Sequence, residues 1–184
     1  MCKQFKKKWS KVLKNREGTH NVELTELLVS VSRHTKVHRG GRKFTFSALV
    51  VVGNKHGKAG YGYGKASEVI EAKNKAVAEA RKKMITVPLR QGRTLHHDII
   101  GKFCSGKVLL RAASPGKGVI AGGALRAVFN VFGISDVVAK SLGSRNPKNM
   151  VKAAFIGLTK LQSPRFIAQK RGRVIQEITR LRNS

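Results

Sequence analysis

The sequence predicts a two-domain α+β protein, and three observations predict it. Apolar and polar residues alternate in the first half of the chain, in segments bounded by glycine-rich turns, as is typical of antiparallel strands. A segment with helical periodicity follows those strands. After a break at residues 88–93, strand and helix patterns alternate again, which indicates an α/β second domain. With 184 residues, 41% of them hydrophobic, the chain is long enough for one large or two small cores.

The first domain, residues 22–87, is predicted to contain three strands and then one helix. The strands cover residues 24–36, 43–52 and 58–63, with turn signals at residues 38–41 and 54–57. Ser67 or a neighbour is the expected helix cap, and Glu68 and Glu71 favour the positive end of the helix dipole. The expected core face comprises Val69, Ala72, Ala76, Val77, Ala80 and Met84.

The second domain, residues 94–163, repeats strand and helix patterns. Strands are predicted over residues 97–103, 107–112 and 136–142, and Asn146 followed by Pro147 marks a helix start. The residues expected to face the core from two helices are Leu125, Val128, Phe129 and Phe132, then Met150, Val151, Ala154, Leu158 and Leu161. Two basic segments flank the domains: an extension at residues 1–21, which contains Trp9, and a tail at residues 164–184.

Charge is the strongest functional indication. The chain has 38 Lys and Arg against 9 Asp and Glu, a formal net charge of +29. A free domain normally carries a net charge of about 2–8 in magnitude, so this excess predicts a polyanionic partner. From Leu27 to Ser67 there are eight basic residues and no carboxylate, interleaved with glycine and aromatic residues. Cations neutralise phosphates, aromatic rings stack on bases and glycine permits close approach, so this run predicts a nucleic-acid surface.

Other classes of function are disfavoured. Cys2 and Cys104 are the only cysteines, and the adjacent His96 and His97 would point apart on a strand, so no metal site is predicted. No stretch has the roughly 20 apolar residues of a membrane span, and the basic start lacks the apolar segment of a secretory signal. Catalytic carboxylates are scarce, and no nucleophile–base spacing stands out. We therefore expect a cytoplasmic protein with no catalytic residue and no cofactor.

Two glycine-rich segments imitate nucleotide-binding motifs. Residues 60–67 resemble a phosphate loop, but Ala59 and Ala66 replace the glycine and the hydroxyl residue that the pattern requires. Residues 116–121 fit the loose dinucleotide fingerprint, yet Asp136 stands at the start of a predicted strand rather than at its end. We interpret the second segment instead as close backbone packing, with Gly122 and Gly123 letting a helix start against a sheet or a partner.

Five segments, in order and spacing, resemble the signature segments of the bacterial small-subunit ribosomal protein S-five family. The resemblance extends from Glu23 to Glu177, nearly the whole chain. The segments are KVHRGGR at 36–42, FTFSALVVVG at 44–53, GYGYGKA at 60–66, GVIAGGA at 118–124 and LGSRNP at 142–147.

The resemblance implies a first domain similar to the double-stranded-RNA-binding fold and a second α/β domain with an unusual left-handed crossover. It implies a place in the body of the small subunit, near the decoding centre and the channel through which messenger RNA enters. Ribosomal RNA and ribosomal proteins S-four and S-eight are the implied partners. The turn that reaches RNA maps to residues 36–42, and the S-four contact maps to the surroundings of Gly118 and Arg126.

Our hypothesis is a structural RNA-binding protein whose cations hold phosphates and whose turn glycines enter a tight RNA site. Two alternatives remain: a free double-stranded-RNA-binding module or RNA chaperone, and an enzyme that uses the 116–123 loop for phosphate. The residues expected to contact ribosomal RNA are Arg33, Lys36, Arg39, Gly40, Gly41, Arg42, Lys55, Lys58 and Lys65.

Overall fold

A computed structural model describes residues 24–180, with side chains to Ile178. Its first half is an antiparallel sheet of order β1-β2-β3-β4 with one helix packed on it. The elements are β1 (Thr25–His38), β2 (Gly41–Gly53), β3 (Lys58–Ala66), α1 (Val69–Lys82) and β4 (Ile85–Thr86). The predicted β-β-β-α order is confirmed, with all three strands longer than predicted and the short β4 added. The extension at residues 1–21, including Trp9, lies outside the described residues.

The second half is a sheet of order β5-β6-β8-β7, in which β7 and β8 are parallel and the other neighbours are antiparallel. The parallel pair is joined through α2; the left-handed crossover stays a prediction. The elements are β5 (Ile99–Phe103), β6 (Gly106–Ala112), β7 (Val119–Ile120), α2 (Gly123–Phe132), β8 (Val137–Ser141), α3 (Pro147–Thr159), α4 (Pro164–Arg171) and α5 (Ile175–Arg180).

Helix α1 lies so close to β3 that three alternate positions on the strand have no room for a side chain. A methyl group on Gly60, Gly62 or Gly64 would lie 2.2, 1.9 or 2.0 Å from the carbonyl oxygens of Ala80, Ala76 and Ala72, respectively. Such distances are far inside van der Waals contact, so glycine is required there by the packing of the helix on the strand.

The start of α1 differs from the prediction. Its N-cap residue is Glu68, next to Ser67, and no side chain makes a capping hydrogen bond. Val69, predicted to face the core, is 39% exposed, because the helix contacts the sheet only from Ala72 onward. Met84 is partly buried but follows the end of the helix. In the second half, by contrast, Asn146 caps α3 as predicted, by accepting a hydrogen bond from the Lys148 N–H.

The two halves share one hydrophobic core. The sheet face opposite α1 contributes Leu49 and Val51 to a cluster that also contains Phe129 and Phe155 from α2 and α3. The Tyr61 ring meets the Phe155 ring edge-on, with centroids 4.8 Å apart. The sequence pattern suggested a separate small sandwich for the first domain; instead, the covered sheet face joins both halves.

The β2–β3 turn and the segment between the halves also join the two parts. The N–H groups of Lys55 and Gly57 donate to the carbonyls of Val131 and Phe132, the last two residues of α2. Leu95, in the connecting segment, is fully buried. The basic tail contains α4 and α5, two short helices that the sequence analysis did not predict.

Candidate nucleic-acid interface

The hairpin formed by β1 and β2 extends beyond the rest of its sheet. Strand β3 pairs with β2 only as far as Phe46, whereas β1 and β2 pair on to the two-residue turn at Arg39 and Gly40. We name residues 34–45 the hairpin arm. At about 3.3 Å per residue the arm is roughly 20 Å long, and nearly all of its residues are exposed. A two-stranded ribbon of this kind needs a partner to be stable in one orientation.

The strand alternation divides the arm into two different faces. Lys36 lies directly opposite Lys43, and His34 lies on the same face, opposite Thr45. We call this the lysine face. It lies on the side of the sheet that contacts the second domain, because Leu49 and Val51 point to the same side of β2 as Lys43. Residues 24–180 contain no ion pair from these lysines to a carboxylate.

The other face of the arm, the phenylalanine face, lies on the α1 side of the sheet. It carries Val37, Arg42 and Phe44, and Arg33 at the base of the arm. Val37 is 71% exposed, and the Arg33 guanidinium lies 5.0 Å from the centroid of the Phe44 ring. Stacked guanidinium and aromatic groups are a usual surface for RNA bases. The two faces therefore offer different chemistry, although the sequence analysis treated their cations as one set.

The two tip glycines differ in backbone conformation. Gly41 has φ +137°, in a region that favours glycine, whereas the φ angle of Gly40 lies outside that region. A methyl group would meet no atom within 4 Å at either position. Gly41 thus has an internal reason to be glycine, while Gly40 could carry a small side chain unless a partner occupies that space.

Lys55 and Lys58 do not lie with the arm. They occupy the β2–β3 turn and the start of β3, about 40 Å along β2 from the tip. Lys55 has φ +58°, and its backbone lies at the C-terminal end of α2, where the helix dipole favours a cation. Lys65, by contrast, is exposed beside the base of the arm and pairs with Ser47. The nine predicted RNA contacts therefore form an arm group, with Lys65 at its base, and a distant turn group.

The glycines and tyrosines of β3 pack against other parts of the protein, whereas the sequence pattern suggested that they form an open surface for RNA. Its glycines face the backbone of α1, and its tyrosines face the second domain. Tyr61 packs on Phe155, and the Lys148 ammonium lies 3.7 Å from the centroid of the Tyr63 ring. Neither ring is free to stack on a base in this structure.

Arg81, Lys82 and Lys83 end α1, and two of these three basic residues form ion pairs within the protein. Arg81 pairs with Glu26 at 3.2 Å, and Lys83 pairs with Glu79 on the next turn of the helix. Lys73 also lies 4.0 Å from the Glu26 carboxylate. Carboxylates therefore offset most of the positive charge on the outer surface of α1, unlike on the arm.

Glu79 also accepts a hydrogen bond from a backbone N–H on the unpaired edge of β3. Its Oε2 accepts the Tyr63 N–H at 2.7 Å. The pKa of Glu79 is lowered from 4.5, mainly by its hydrogen bond with Lys83 and further by the Tyr63 N–H and the charges of Lys83 and Lys152, against a rise from partial burial. The carboxylate is thus held ionised while it bonds the strand edge.

The structure brings Gly118 and Arg126, the predicted protein contacts, to the same place. They lie on either side of β7, and the Arg126 guanidinium donates to the Val119 carbonyl at 3.1 Å. Gly118 has φ +72°, and its N–H donates to the buried Asp136. Gly122 and Gly123 border this region with open space around them, so packing within the described chain does not explain these two glycines.

The dinucleotide-like loop is already occupied by a carboxylate of the protein. Asp136 Oδ1 accepts the N–H groups of Gly116 and Gly118, each at 3.0 Å. Its Oδ2 lies 3.2 Å from Arg93 Nη2, an ion pair without hydrogen-bond alignment. Because those loop N–H groups face a buried carboxylate, they are not arranged to bind phosphate.

No group of three potential metal ligands occurs within the described part of the chain, and none of its helices is long and apolar enough to cross a membrane.

Comparison of the sequence with known proteins identifies a family. The model of the ribosomal protein S5 N-terminal domain matches residues 24–88, and that of the ribosomal protein S5 C-terminal domain matches residues 101–171. Similar proteins include three named small ribosomal subunit protein uS5. That of Wolbachia pipientis is 58% identical over 86% of this chain and 94% of its own length.

The Ehrlichia ruminantium protein is 56% identical over 91% of this chain and 97% of its own. The Granulibacter bethesdensis protein is 56% identical over 85% of this chain and 82% of its own. The chain therefore belongs to the ribosomal protein S5 family, a family of structural proteins rather than enzymes.

Proposed function

We propose that the chain is an RNA-binding constituent of the bacterial small ribosomal subunit in the cytoplasm, where it supports assembly and decoding accuracy near the path of messenger RNA. The observation that carries this proposal is the direct opposition of Lys36 and Lys43 on the arm. Like charges opposite each other destabilise a hairpin, and no described carboxylate offsets them. A polyanion against the lysine face removes that cost.

Within this proposal the arm reaches into folded ribosomal RNA, with the tip glycines at the closest approach. The arm cations, together with Lys55, Lys58 and Lys65, hold phosphates. The region of Gly118 and Arg126 contacts a neighbouring protein, for which S-four is the expected partner, and S-eight is expected elsewhere on the surface. Open space around Gly122 and Gly123 supports a partner there.

The structure gives reasons to prefer this function to the two alternatives. A free double-stranded-RNA-binding module has no use for a second domain that shares its core with the first. An enzyme that binds phosphate at the 116–123 loop would need the N–H groups that Asp136 occupies.

Sedimentation of the tagged full chain from a bacterial lysate tests the proposal. We expect it to migrate with the small subunit through a sucrose gradient and to remain there after a high-salt wash, because a protein within the particle is held by many simultaneous contacts. Migration at the top of the gradient, or release at modest salt, would instead indicate a loosely bound RNA chaperone and would overturn the proposal.

A further inference from the structure

We propose that Lys148 and Lys152 of α3 continue the lysine face of the arm across the sheet, so that one RNA backbone contacts both domains. This inference rests on the proposed RNA-binding function and adds a site in the second domain. Neither lysine belongs to the nine RNA contacts predicted from the sequence.

Strand alternation places the components on one side of the sheet. Lys43, Ser47 and Leu49 alternate along β2 on the side that faces the second domain. Strand β3 pairs Lys65 with Ser47 and Tyr63 with Leu49, which puts Lys65 and Tyr63 on that side as well. Ser47 and Leu49 are buried, so the exposed Lys65 is the residue that links the lysine face of the arm to the tyrosine that contacts α3.

Helix α3 adds the next two cations to this row. The Lys148 ammonium lies 3.7 Å from the centroid of the Tyr63 ring, and the Lys152 ammonium lies 4.7 Å from that of Phe103. Lys65 and Tyr63 are about 7 Å apart along the strand, and Lys152 is about 6 Å along the helix from Lys148. Cations arranged in a row fit an extended polyanion better than a single small anion.

The row carries unbalanced charge. Lys65, Lys148 and Lys152 form no ion pair within residues 24–180. The charge of Lys152 contributes to lowering the pKa of Glu79, so the two groups are near each other. The carboxylate oxygens of Glu79, however, already accept hydrogen bonds from Tyr63 and Lys83. The aromatic contacts hold the two ammonium groups in place, and their hydrogen atoms remain able to contact phosphate.

A purely structural role is the alternative, because the Lys148–Tyr63 contact also links the two domains. Salt dependence separates the two roles. Each phosphate contact to a single strand adds about 0.7 to the slope of log affinity against log salt concentration, whereas a contact within the protein adds nothing.

The experiment uses the full chain and a transcript of full-length bacterial small-subunit ribosomal RNA, with binding measured over a range of KCl concentrations. We expect the double variant Lys148→Met, Lys152→Met to lower the slope by about 1.4. The control variant Lys73→Met, Lys75→Met removes the same charge from α1, where Glu26 and Glu71 pair with these lysines, and should change the slope much less. Thermal unfolding of each variant shows whether it is folded. The single variant Lys152→Met, which keeps the contact between Lys148 and Tyr63, should lower the slope by about 0.7.

Each outcome decides the proposal. A fall that is specific to the α3 double variant supports the proposal. If the double variant does not fold, the slope of Lys152→Met decides the proposal. An unchanged slope with normal binding would leave Lys148 as a contact between the domains only and would overturn the proposal. Equal falls in both double variants would also overturn it, because they would indicate non-specific binding through charge. Absence of binding by the wild-type chain would instead refute the proposed function.

Discussion

The hairpin arm and strand β3 are alike in composition and opposite in use. Both contain glycine, lysine and aromatic residues, and both lie in the segment without carboxylates. In the arm, Phe44 and the two lysines are exposed on a ribbon that projects beyond β3. In β3, the glycines lie against the backbone of α1 and the tyrosines pack toward the second domain. Residue types therefore indicate chemistry, but the presence of a packed neighbour decides whether that chemistry faces a ligand or the core.

The largest contrast should come from placing a methyl group in each region. Gly62→Ala should destabilise the protein by about 3 kcal/mol or more, because its Cβ would lie 1.9 Å from the Ala76 carbonyl oxygen. Gly40→Ala, with no atom within 4 Å, should change stability by about 0.5 kcal/mol at most. Urea unfolding monitored by circular dichroism measures both.

The variants Gly62→Ala and Gly40→Ala also distinguish an effect on folding from an effect on RNA binding. If Gly40 approaches RNA closely, Gly40→Ala should weaken incorporation into the small subunit while leaving the free protein stable. Equal stability for the two variants would contradict the assignment of β3 to the core, and normal incorporation of Gly40→Ala would contradict a tight approach at the tip.

An intermediate effect is expected for the opposed lysines of the arm. Replacing both Lys36 and Lys43 with Gln should leave the free energy of unfolding unchanged or raise it by about 0.2–1 kcal/mol, because it removes a cross-strand repulsion. The same change should lower the salt slope of binding to small-subunit ribosomal RNA by about 1.4. Unfolding and binding titrations on one preparation test both parts, and a loss of stability without a change in slope would reverse the interpretation of the lysine face.

The smallest effect concerns Glu79 at the edge of β3. Its pKa is lowered in the folded state, so its contribution to stability is complete above about pH 4.5 and is lost as the pH falls through the folded-state pKa. Glu79→Gln should therefore be less stable than wild type at pH 7, with a difference that shrinks toward pH 3. Urea unfolding at several pH values measures it, and a constant difference would show that the carboxylate charge contributes nothing.

Most of the fold could be predicted because its signals are local. Alternation and turn residues located β1, β2 and β3, and the Asn146–Pro147 pair located the start of α3, with its cap confirmed. The core residues of α2 were predicted correctly for the same reason: four apolar positions at helical spacing are all buried. The error at Val69 arose because periodicity shows which way a residue points but not where the helix first meets the sheet.

The candidate site was only partly predictable. The cations of the arm and the turn were identified from charge, but Lys55 and Lys58 lie at the far end of β2 from Lys36. Lys148 and Lys152 were missed because their position next to Tyr63 and Phe103 results from contacts between distant parts of the chain. Strand alternation could have placed Lys43 with Lys36, since pairing through a two-residue turn fixes which residues face each other.

The sequence by itself determined the excess of positive charge, the order of the longer strands and helices, and the family, because composition and short-range patterns are properties of the chain alone. Only the tertiary structure decided which cations are neutralised and which glycines and aromatic rings are buried. Arg81 and Lys83 have carboxylate partners, whereas Lys36 and Lys43 have none among the described residues. That difference depends on distances between residues far apart in sequence, and electrostatic and packing energies depend on those distances.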